Sequence, residues 1–379
     1  MSALGDHLEA LIRAQGPLTV ARFMAEALGH PKHGYYMAKD PLGGDGDFVT
    51  APEISQMFGE LVGLWAAATW EQMGKPESLN LVELGPGRGT LMADALRAAK
   101  VAPGFPEAVQ LHLVETSPPL RRRQRQALGA VAAVWHDRLM DVPEGPMLLL
   151  ANEFFDALPI QQFQRTEHGW CERLVDLDGH QGGRGDPGGD PGDEPGQGGF
   201  RLVLSPRPTP SSALLPRALG GAPLGSVGEV CPSALSLARD IAWRVRAGGG
   251  VALIIDYGRA VSAPGDSLQA VRGHLRQPWI EAPGSADITA YVDFEALRRA
   301  ASEAGARVHG PVPQGDFLKT LGIEARASAL LESATPEQRI EIAAALGRLT
   351  DPSQMGGLFK VLAITDPKHP EPAGFEQRP

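Results

Sequence analysis

Short apolar runs recur along the chain and alternate with segments in which apolar residues follow a helical spacing. Runs of this kind are typical of strands that are buried on both faces of a parallel sheet. Five of them occur, at residues 79–84, 110–114, 131–135, 147–151 and 250–255. Because helical segments separate such strands, the pattern predicts an α/β fold with a doubly wound parallel sheet.

Helices are predicted where the apolar spacing and the end signals agree. The predicted segments are residues 4–13, 20–28, 293–304 and 335–349. Thr19 is the expected N-cap of the second helix, because a threonine oxygen can accept a first-turn N–H. The last helix begins with Thr335, Pro336 and Gln338, which is a capping-box pattern.

Residues 43–55 are rich in glycine and lead into an apolar helix that ends at about Trp70. Thr50 and Glu53 fit a capping box at its start. The box leaves Asp47 and Phe48 unexplained, and a glycine-flanked pair before a helix is able to close over a ligand.

Two insertions interrupt the predicted sheet. Residues 161–175 and 200–204 are expected to form a hairpin joined by a glycine- and proline-rich linker, and residues 265–294 look irregular. Residues 355–365 are a candidate for a last, antiparallel strand, and we expect the proline-rich tail from Asp366 to be disordered.

Charge and cysteine content exclude several classes of protein. The chain has 379 residues and a net charge of −10, which argues against a nucleic-acid partner and fits one with cationic groups. Two cysteines are too few for a disulfide framework.

No apolar run reaches membrane-spanning length, so no membrane insertion is expected. Acids at Asp6 and Glu9 are unlike a signal or transit peptide. We expect a cytoplasmic protein if bacterial, and a matrix protein only after a presequence has been removed.

A glycine-rich turn follows the first predicted strand. Gly85, Gly87 and Gly89 would let the backbone approach a ligand, and the next helix would offer its N-terminal amides to an anion. A dinucleotide fingerprint needs glycine at position 90, where Thr90 stands, and the Gly-Lys-Ser/Thr ending of a P-loop is absent. A tight turn without a ligand remains the alternative. With Glu83 before it, the turn resembles motif I of class I S-adenosylmethionine-dependent methyltransferases.

Polar residues follow the predicted strands at the edge where ligands bind in such sheets. If the cofactor is S-adenosyl-L-methionine, its carboxylate would meet the turn formed by Gly85, Pro86, Gly87, Gly89 and Thr90. Its ammonium would face Glu83, its ribose Glu115 and its adenine Asp137. As single residues, these acids are also explained as solvated loop ends or helix caps.

The residues after the fourth strand are candidates for the acceptor site. Carboxylates can hold a planar guanidinium, so Glu153 and Asp156, with Asn152 beside them, are the expected catalytic residues, and Asp256 is expected to line the same cleft. The alternative is that Asn152 caps a helix and Glu153 is a favourable first-turn acid.

Other polar clusters carry no chemistry that we can assign. His136 and His274 have no metal-like companions at ligand spacing, so no metal is expected. The arginine-rich run from Arg121 to Arg125 is interpreted as a solvated helix face.

Several longer motifs together resemble the MidA-like family of class I methyltransferases. They include His30-Pro-x-x-Gly-Tyr-Tyr36 and the segments at 46–60, 83–92, 151–159, 255–258 and 355–362. This family includes a mitochondrial assembly factor of respiratory complex I that methylates an arginine of a core subunit. The resemblance implies S-adenosyl-L-methionine as cofactor and a protein arginine, on a complex I subunit, as acceptor. It also implies that Asp47, Phe48 and Thr50 help enclose the cofactor. Tyr291 stands where the family carries histidine, so we assign that position no role.

The expected architecture is a Rossmann-like core with a helical N-terminal cap and inserted substrate-side elements. The expected segments are the cap (1–60), core (61–175), an insertion (176–235) with its linker (179–199), core (236–264), a second insertion (265–295), core (296–365) and tail (366–379). A homodimer is one assembly that we consider. An assembly chaperone without methyl turnover and a small-molecule methyltransferase remain alternatives.

Overall fold

The computed structural model describes residues 2–38, 50–179, 199–273 and 275–376. Contacts within the chain divide it into two compact units. The antiparallel unit contains Met1–Phe48, Ala157–Ala234 and Val261–Tyr291, and the parallel unit contains Val49–Asp156, Leu235–Ala260 and Val292–Pro379. The predicted N-terminal cap of residues 1–60 is thus divided between the two units. Most of the predicted linker, residues 180–198, lies outside the described residues.

The strands of the described residues, in chain order, are β1 (Leu18–Thr19), β2 (Leu79–Leu84), β3 (Val109–Val114), β4 (Ala133–His136), β5 (Met147–Asn152), β6 (Gln161–Thr166), β7 (Gly169–Leu177), β8 (Phe200–Pro208), β9 (Val227–Val230), β10 (Gly250–Arg259), β11 (Gln269–Arg272), β12 (Leu275–Gln277), β13 (Asp287–Thr289), β14 (Val292–Asp293), β15 (Arg307–Pro313) and β16 (Phe359–Thr365). The helices are α1 (Ala3–Gln15), α2 (Val20–Gly29), α3 (Tyr35–Ala38), α4 (Ala51–Ile54), α5 (Gln56–Gln72), α6 (Thr90–Ala99), α7 (Phe105–Ala108), α8 (Pro118–Leu128), α9 (Pro232–Gly248), α10 (Phe294–Glu303), α11 (Gln314–Thr320), α12 (Ile323–Glu332), α13 (Pro336–Thr350) and α14 (Met355–Leu358).

The main sheet of the parallel unit has the order β15-β16-β10-β5-β2-β3-β4. The strands from β10 to β4 run parallel, and β16 is antiparallel to both β10 and β15. The predicted doubly wound sheet with an antiparallel end strand is confirmed. No strand is predicted from the sequence at β15, because Gly310, Pro311 and Pro313 interrupt its apolar pattern.

The order of the strands fixes where a ligand can bind. β2 and β5 are neighbours, yet the next strand of this sheet after β2 is β3, on one side of the pair, and the next one after β5 is β10, on the other side. Connections that diverge in this way open a crevice beyond the carboxyl ends of the two strands. Residues 83–89 lie at and just beyond the end of β2, and residues 152–156 lie at and just beyond the end of β5.

Two glycines allow α5 to lie directly on α6. A Cβ atom at Gly59 would be 2.6 Å from the Cβ of Asp94, and one at Gly63 would be 2.2 Å from the carbonyl oxygen of Ala95. Any larger residue would push the two helices apart. This contact fixes the helix that begins at the glycine turn.

The antiparallel unit has a sheet of order β1-β7-β6-β9, with β8 paired to β7. The predicted hairpin of β7 and β8 is confirmed, but the expected strand at 161–175 is two strands, β6 and β7, that pair with each other. Phe23 on α2 packs edge-on against Phe200 and Trp279 at centroid distances of 5.7 and 5.6 Å. The insertion expected to be irregular contains a small sheet of β12, β11 and β13.

The tail is ordered further than its prolines suggested. The Trp65 indole N–H donates to the carbonyl oxygen of Ala373 at 3.1 Å, and the Phe375 side chain is only 5% exposed. The expectation of disorder from Asp366 is therefore wrong as far as residue 376, because aromatic burial holds the segment. Within the described part of the chain, no helix combines the length and apolar character needed to cross a membrane.

Candidate functional site

The turn after β2 has a backbone that favours glycine at each of its three glycine positions. The φ angles of Gly85, Gly87 and Gly89 are 58°, 56° and 87°, in the left-handed region. A Cβ atom at Gly85 would also lie 2.6 Å from Cδ2 of Phe154. No side chain of the described residues caps the first turn of α6, which begins at Thr90. The turn therefore presents main-chain N–H groups at a helix N-terminus, as an anionic group requires.

Glu83 is a buried carboxylate at the end of β2. Its side chain is 2% exposed, and Oε2 has no hydrogen-bond partner among the described residues. Burial, together with the nearby Glu115 carboxylate, raises the pKa of Glu83 to about 8. A buried oxygen without a donor is costly, so this position fits a ligand that brings a cationic donor.

Glu115 follows β3 and is held at both of its oxygens. Oε1 accepts from the main-chain N–H of Ser117 at 2.8 Å, and Oε2 accepts from Nε2 of Gln124 at 3.2 Å. Burial raises the pKa of Glu115, and these two donors oppose the rise. A carboxylate oriented in this way retains acceptor capacity for two hydroxyl groups.

The arginine-rich helix α8 contributes to this edge of the sheet. Arg121 donates to the carbonyl oxygens of Glu115 at 2.7 Å and His136 at 3.0 Å, and to Oδ1 of Asp137 at 2.7 Å. The interpretation of the whole run as a solvated face is therefore wrong for Arg121, whose side chain ties β3 to β4. Asp137 itself has a side chain that is 73% exposed.

Glu153, directly after β5, has a strained backbone. Its φ angle is 50°, which is uncommon for a residue other than glycine. Oε1 accepts from the main-chain N–H of Ala51 at 2.8 Å and from Nδ2 of Asn152 at 3.0 Å. Burial raises the pKa of Glu153 to about 7, with Asp156 adding to the rise and the Ala51 amide opposing it.

No helix begins at residues 152–156, so the alternative of a capped helix is wrong. Asn152 is instead the last residue of β5, and its buried Oδ1 has no partner among the described residues. An acidic residue with a strained backbone, next to a buried amide oxygen without a hydrogen-bond donor, is an arrangement found at functional sites.

Asp256 explains how this strained loop is held. Its Oδ2 accepts from the main-chain N–H groups of Phe154, Phe155 and Asp156 at 3.2, 2.9 and 3.2 Å, and its Oδ1 accepts from that of Tyr257 at 2.9 Å. Its side chain is 0% exposed. The expectation that Asp256 lines a substrate cleft is wrong, because the carboxylate is used to anchor the loop.

Residues 50–54 also reach the site, by contacts that the local sequence did not reveal. Thr50 precedes α4, but within the described residues its side chain makes no capping hydrogen bond, and Ser55 caps α5 instead. Glu53 Oε1 accepts from the Thr90 hydroxyl at 2.5 Å, so the predicted capping box is wrong. Asp47 and Phe48 lie outside the described residues.

One group of side chains in the antiparallel unit has the composition of a metal site. The ligand atoms of His7, Glu26 and His30 lie within 4.8 Å of one another. However, Nδ1 of His30 accepts from the main-chain N–H groups of Lys32 and His33, so the neutral ring keeps its proton on Nε2. Arg22 already binds Glu26 at 2.6 Å, and the group carries no metal assignment. His136 pairs with His112 at 2.9 Å, and His274 lies outside the described residues.

A family described as S-adenosyl-L-methionine-dependent methyltransferases matches residues 61–312, which contain β2, the glycine turn and the loop after β5. The chain belongs to this family. S-adenosyl-L-methionine is accordingly the cofactor of this methyltransferase.

Relatives of the methyltransferase are similar over nearly their whole length. A Danio rerio protein named protein arginine methyltransferase NDUFAF7, mitochondrial, is 39% identical over 382 residues, covering 94% of this chain and 86% of that protein. The Drosophila melanogaster homologue of that name is 41% identical over 393 residues, covering 96% of this chain and 84% of that protein. A Burkholderia thailandensis crystal structure bound to S-adenosyl-homocysteine has a TM-score of 0.77 and 27% identity, covering 99% of this chain and 93% of that one. The expected Rossmann-like methyltransferase fold is confirmed, and so is the expected membership of this chain in the MidA-like family.

Proposed function

We propose that this methyltransferase methylates an arginine side chain of a protein. The relatives named protein arginine methyltransferases support this acceptor. The environment of Glu153 is the observation that carries the proposal. The backbone of this residue is strained, and burial raises the pKa of its carboxyl group to about 7. Such a group can bind a cation and also take a proton near neutral pH.

The cofactor contacts are proposed from the unsatisfied and oriented groups of the site. Glu83 would accept from the ammonium through Oε2, and the amides of the glycine turn would bind the carboxylate. Glu115 would accept both ribose hydroxyls with the two oxygens that Ser117 and Gln124 hold in place. Contacts of Asp137 with the adenine, and of Asp47, Phe48 and Thr50 around the cofactor, stay predictions.

The cofactor supplies a methyl group activated by a sulfonium charge. In transfer to a guanidinium, the carbon–sulfur bond breaks, a carbon–nitrogen bond forms and one N–H proton must leave. Glu153 would bind the guanidinium edge and accept that proton, while Asn152 and the Ala51 amide hold its Oε1. Asp156 adds negative charge beside Glu153, which favours a cationic acceptor over a neutral one.

The partner follows from the same family likeness. We propose a protein substrate, and a subunit of respiratory complex I as the target. The relatives are mitochondrial proteins by name. A cytoplasmic location in a bacterial host and assembly as a homodimer stay predictions.

A labelling experiment tests this function. The purified protein is incubated with methyl-tritiated S-adenosyl-L-methionine and a protein extract of the host, and the labelled protein is hydrolysed to amino acids. We expect the label in methylarginine, and much less with the variant Glu153→Gln. Label in another amino acid or in small molecules would overturn the arginine assignment. Cofactor binding without transfer would favour the assembly chaperone.

A further inference from the structure

Gln124 is fully buried in the middle of a helix that is otherwise rich in exposed arginine. Its side chain is 0% exposed and makes three hydrogen bonds within the parallel unit. Oε1 accepts from the Trp135 indole N–H at 2.8 Å. Nε2 donates to the carbonyl oxygen of Gly87 at 2.9 Å and to Oε2 of Glu115 at 3.2 Å. Both donors of the amide and one acceptor site of its oxygen are thus directed at the strand ends and the glycine turn.

The chemistry of the three partners fixes the orientation of this amide. An indole N–H can only donate, whereas a carbonyl and a carboxylate oxygen can only accept. The reverse orientation of the amide would place its NH₂ against the indole N–H and its oxygen against two acceptors. The orientation of Gln124 is therefore determined by its surroundings.

We propose that Gln124 is a positioning residue for the cofactor, coupling the glycine turn to the ribose-binding carboxylate. The inference rests on the proposed contacts of the cofactor with this turn and with Glu115. Through the Gly87 carbonyl, one amide group holds the glycine turn that would meet the amino-acid end of the cofactor. The same amide group holds Glu115, which would meet the ribose.

The packing of α8 against the turn supports this coupling. A Cβ atom at Gly89 would lie 3.1 Å from Cα of Gln124 and 3.3 Å from Cβ of Ala127. The helix backbone is thus in close contact with the turn, which keeps the Gln124 side chain within reach of Gly87. On the other side, Arg125 stacks on the Trp135 ring at 4.4 Å, which fixes the indole that orients the amide.

Loss of the Gln124 side chain should affect cofactor binding and not the methyl-transfer step. It contacts residues that bind the cofactor, and the proposed acceptor residue Glu153 is not among its partners. Losing its two donated hydrogen bonds, one of them to a charged group, should weaken binding of S-adenosylhomocysteine by about 10- to 100-fold. At saturating cofactor, kcat should change little while KM for the cofactor rises.

The first test is calorimetric titration of Gln124→Leu with S-adenosylhomocysteine. Gln126→Leu is the matched control, because Gln126 is exposed on the same helix. We expect the weakened binding in Gln124→Leu and wild-type affinity in Gln126→Leu. Trp135→Phe keeps an aromatic ring at this position and removes the N–H that orients the amide, so it should weaken binding to a smaller extent and remains testable if Gln124→Leu does not fold.

The pH profile of binding distinguishes positioning from simple packing. The groups that lower the pKa of Glu115 are the main-chain N–H groups of Ser117 and Thr116 and the side chains of Gln124 and Arg121, and the nearby carboxylate is that of Glu83 on β2. Removing the Gln124 donor should shift the low-pH loss of S-adenosylhomocysteine binding to higher pH. Wild-type affinity and an unshifted profile in both Gln124→Leu and Trp135→Phe would overturn the inference. Failure of the wild-type protein to bind would instead overturn the cofactor contacts, and the inference with them.

Discussion

The main-chain N–H of Ala51 donates a 2.8 Å hydrogen bond to Oε1 of Glu153, a residue 102 positions further along the chain. In the same short helix, Glu53 accepts from Thr90 at the start of α6. Residues 50–54 therefore connect the loop after β5 with the glycine turn. Any movement of this helix would change the donor that opposes the raised pKa of Glu153.

Neutralising this carboxylate should slow transfer without preventing cofactor binding. In Glu153→Gln the side-chain oxygen can still accept from Ala51, but the negative charge and the proton acceptor are lost. We expect methyl transfer to fall by about 100-fold or more, with the S-adenosylhomocysteine Kd nearly unchanged. Single-turnover transfer and calorimetry measure the two quantities. Glu107→Gln, an exposed site in the same unit, is the control, and equal transfer rates in both variants would contradict the role of Glu153.

A branched side chain in the glycine turn should abolish cofactor binding. Gly87 has a φ angle of 56°, which a β-branched residue adopts only with strain, and a valine would fill the space where the ligand approaches the backbone. Calorimetry of Gly87→Val should detect no binding of S-adenosylhomocysteine. Gly347→Val, in a partly exposed helical position where an added Cβ would have nothing within 4 Å, should bind normally. Wild-type affinity in Gly87→Val would refute the placement of the cofactor.

The raised pKa of Glu83 predicts how stability depends on pH. Glu83 of the folded protein keeps its proton up to about pH 8, whereas in the unfolded chain it releases the proton near the ordinary glutamate pKa of 4.5. The folded state therefore binds more protons between these values, and stability falls as pH rises through that window. Denaturation midpoints from pH 5 to 9 should decline less steeply for Glu83→Gln than for wild type. Parallel curves would show that Glu83 titrates normally.

Cofactor binding should remove the proton from the Glu83 carboxyl group. An ammonium beside Glu83 favours the ionised carboxylate, so binding of S-adenosylhomocysteine should release a proton and tighten from pH 6 to 8. Calorimetry in buffers of different ionisation enthalpy measures the released proton. Glu83→Gln should lose this release, and a wild-type protein that releases no proton at pH 7 would contradict the contact.

Asp256 should be needed for stability more than for chemistry. Removing its carboxylate in Asp256→Ala leaves four main-chain N–H groups without their acceptor. The free energy of unfolding should fall by about 3 to 5 kcal/mol. Asp316→Ala, at an exposed position, should change it by less than about 0.5 kcal/mol. Chemical denaturation of both variants measures the difference, and matching midpoints would contradict the anchoring role.

The features that could be predicted from sequence depend on neighbours in the chain. β2 and its glycine turn were predicted correctly because an apolar run and three glycines within one short segment specify both. The capping boxes show where local reasoning fails. Thr335 and Gln338 form theirs, whereas Glu53 has a pattern of the same kind and binds Thr90, 37 residues away.

The missed residues of the site are those whose partners lie on other strands. Gln124 occurs in an arginine-rich helix, and nothing in its local pattern indicates burial against Gly87 and Trp135. Asp256 and Glu115 each follow an apolar run in the sequence, and only the structure distinguishes an acid that binds backbone amides from one whose oxygens are oriented for a ligand.

The anchoring of the loop by Asp256 has a consequence for how this enzyme could acquire new substrates. The loop is held through the main-chain amides of residues 154–156, and every residue except proline supplies such an amide, so substitutions there leave these hydrogen bonds available. Mutations there can alter acceptor preference while the backbone stays in place. Directed evolution of selectivity would best begin at the partly exposed Phe154, because Phe155 and Asp156 are buried, with Asp256 left unchanged.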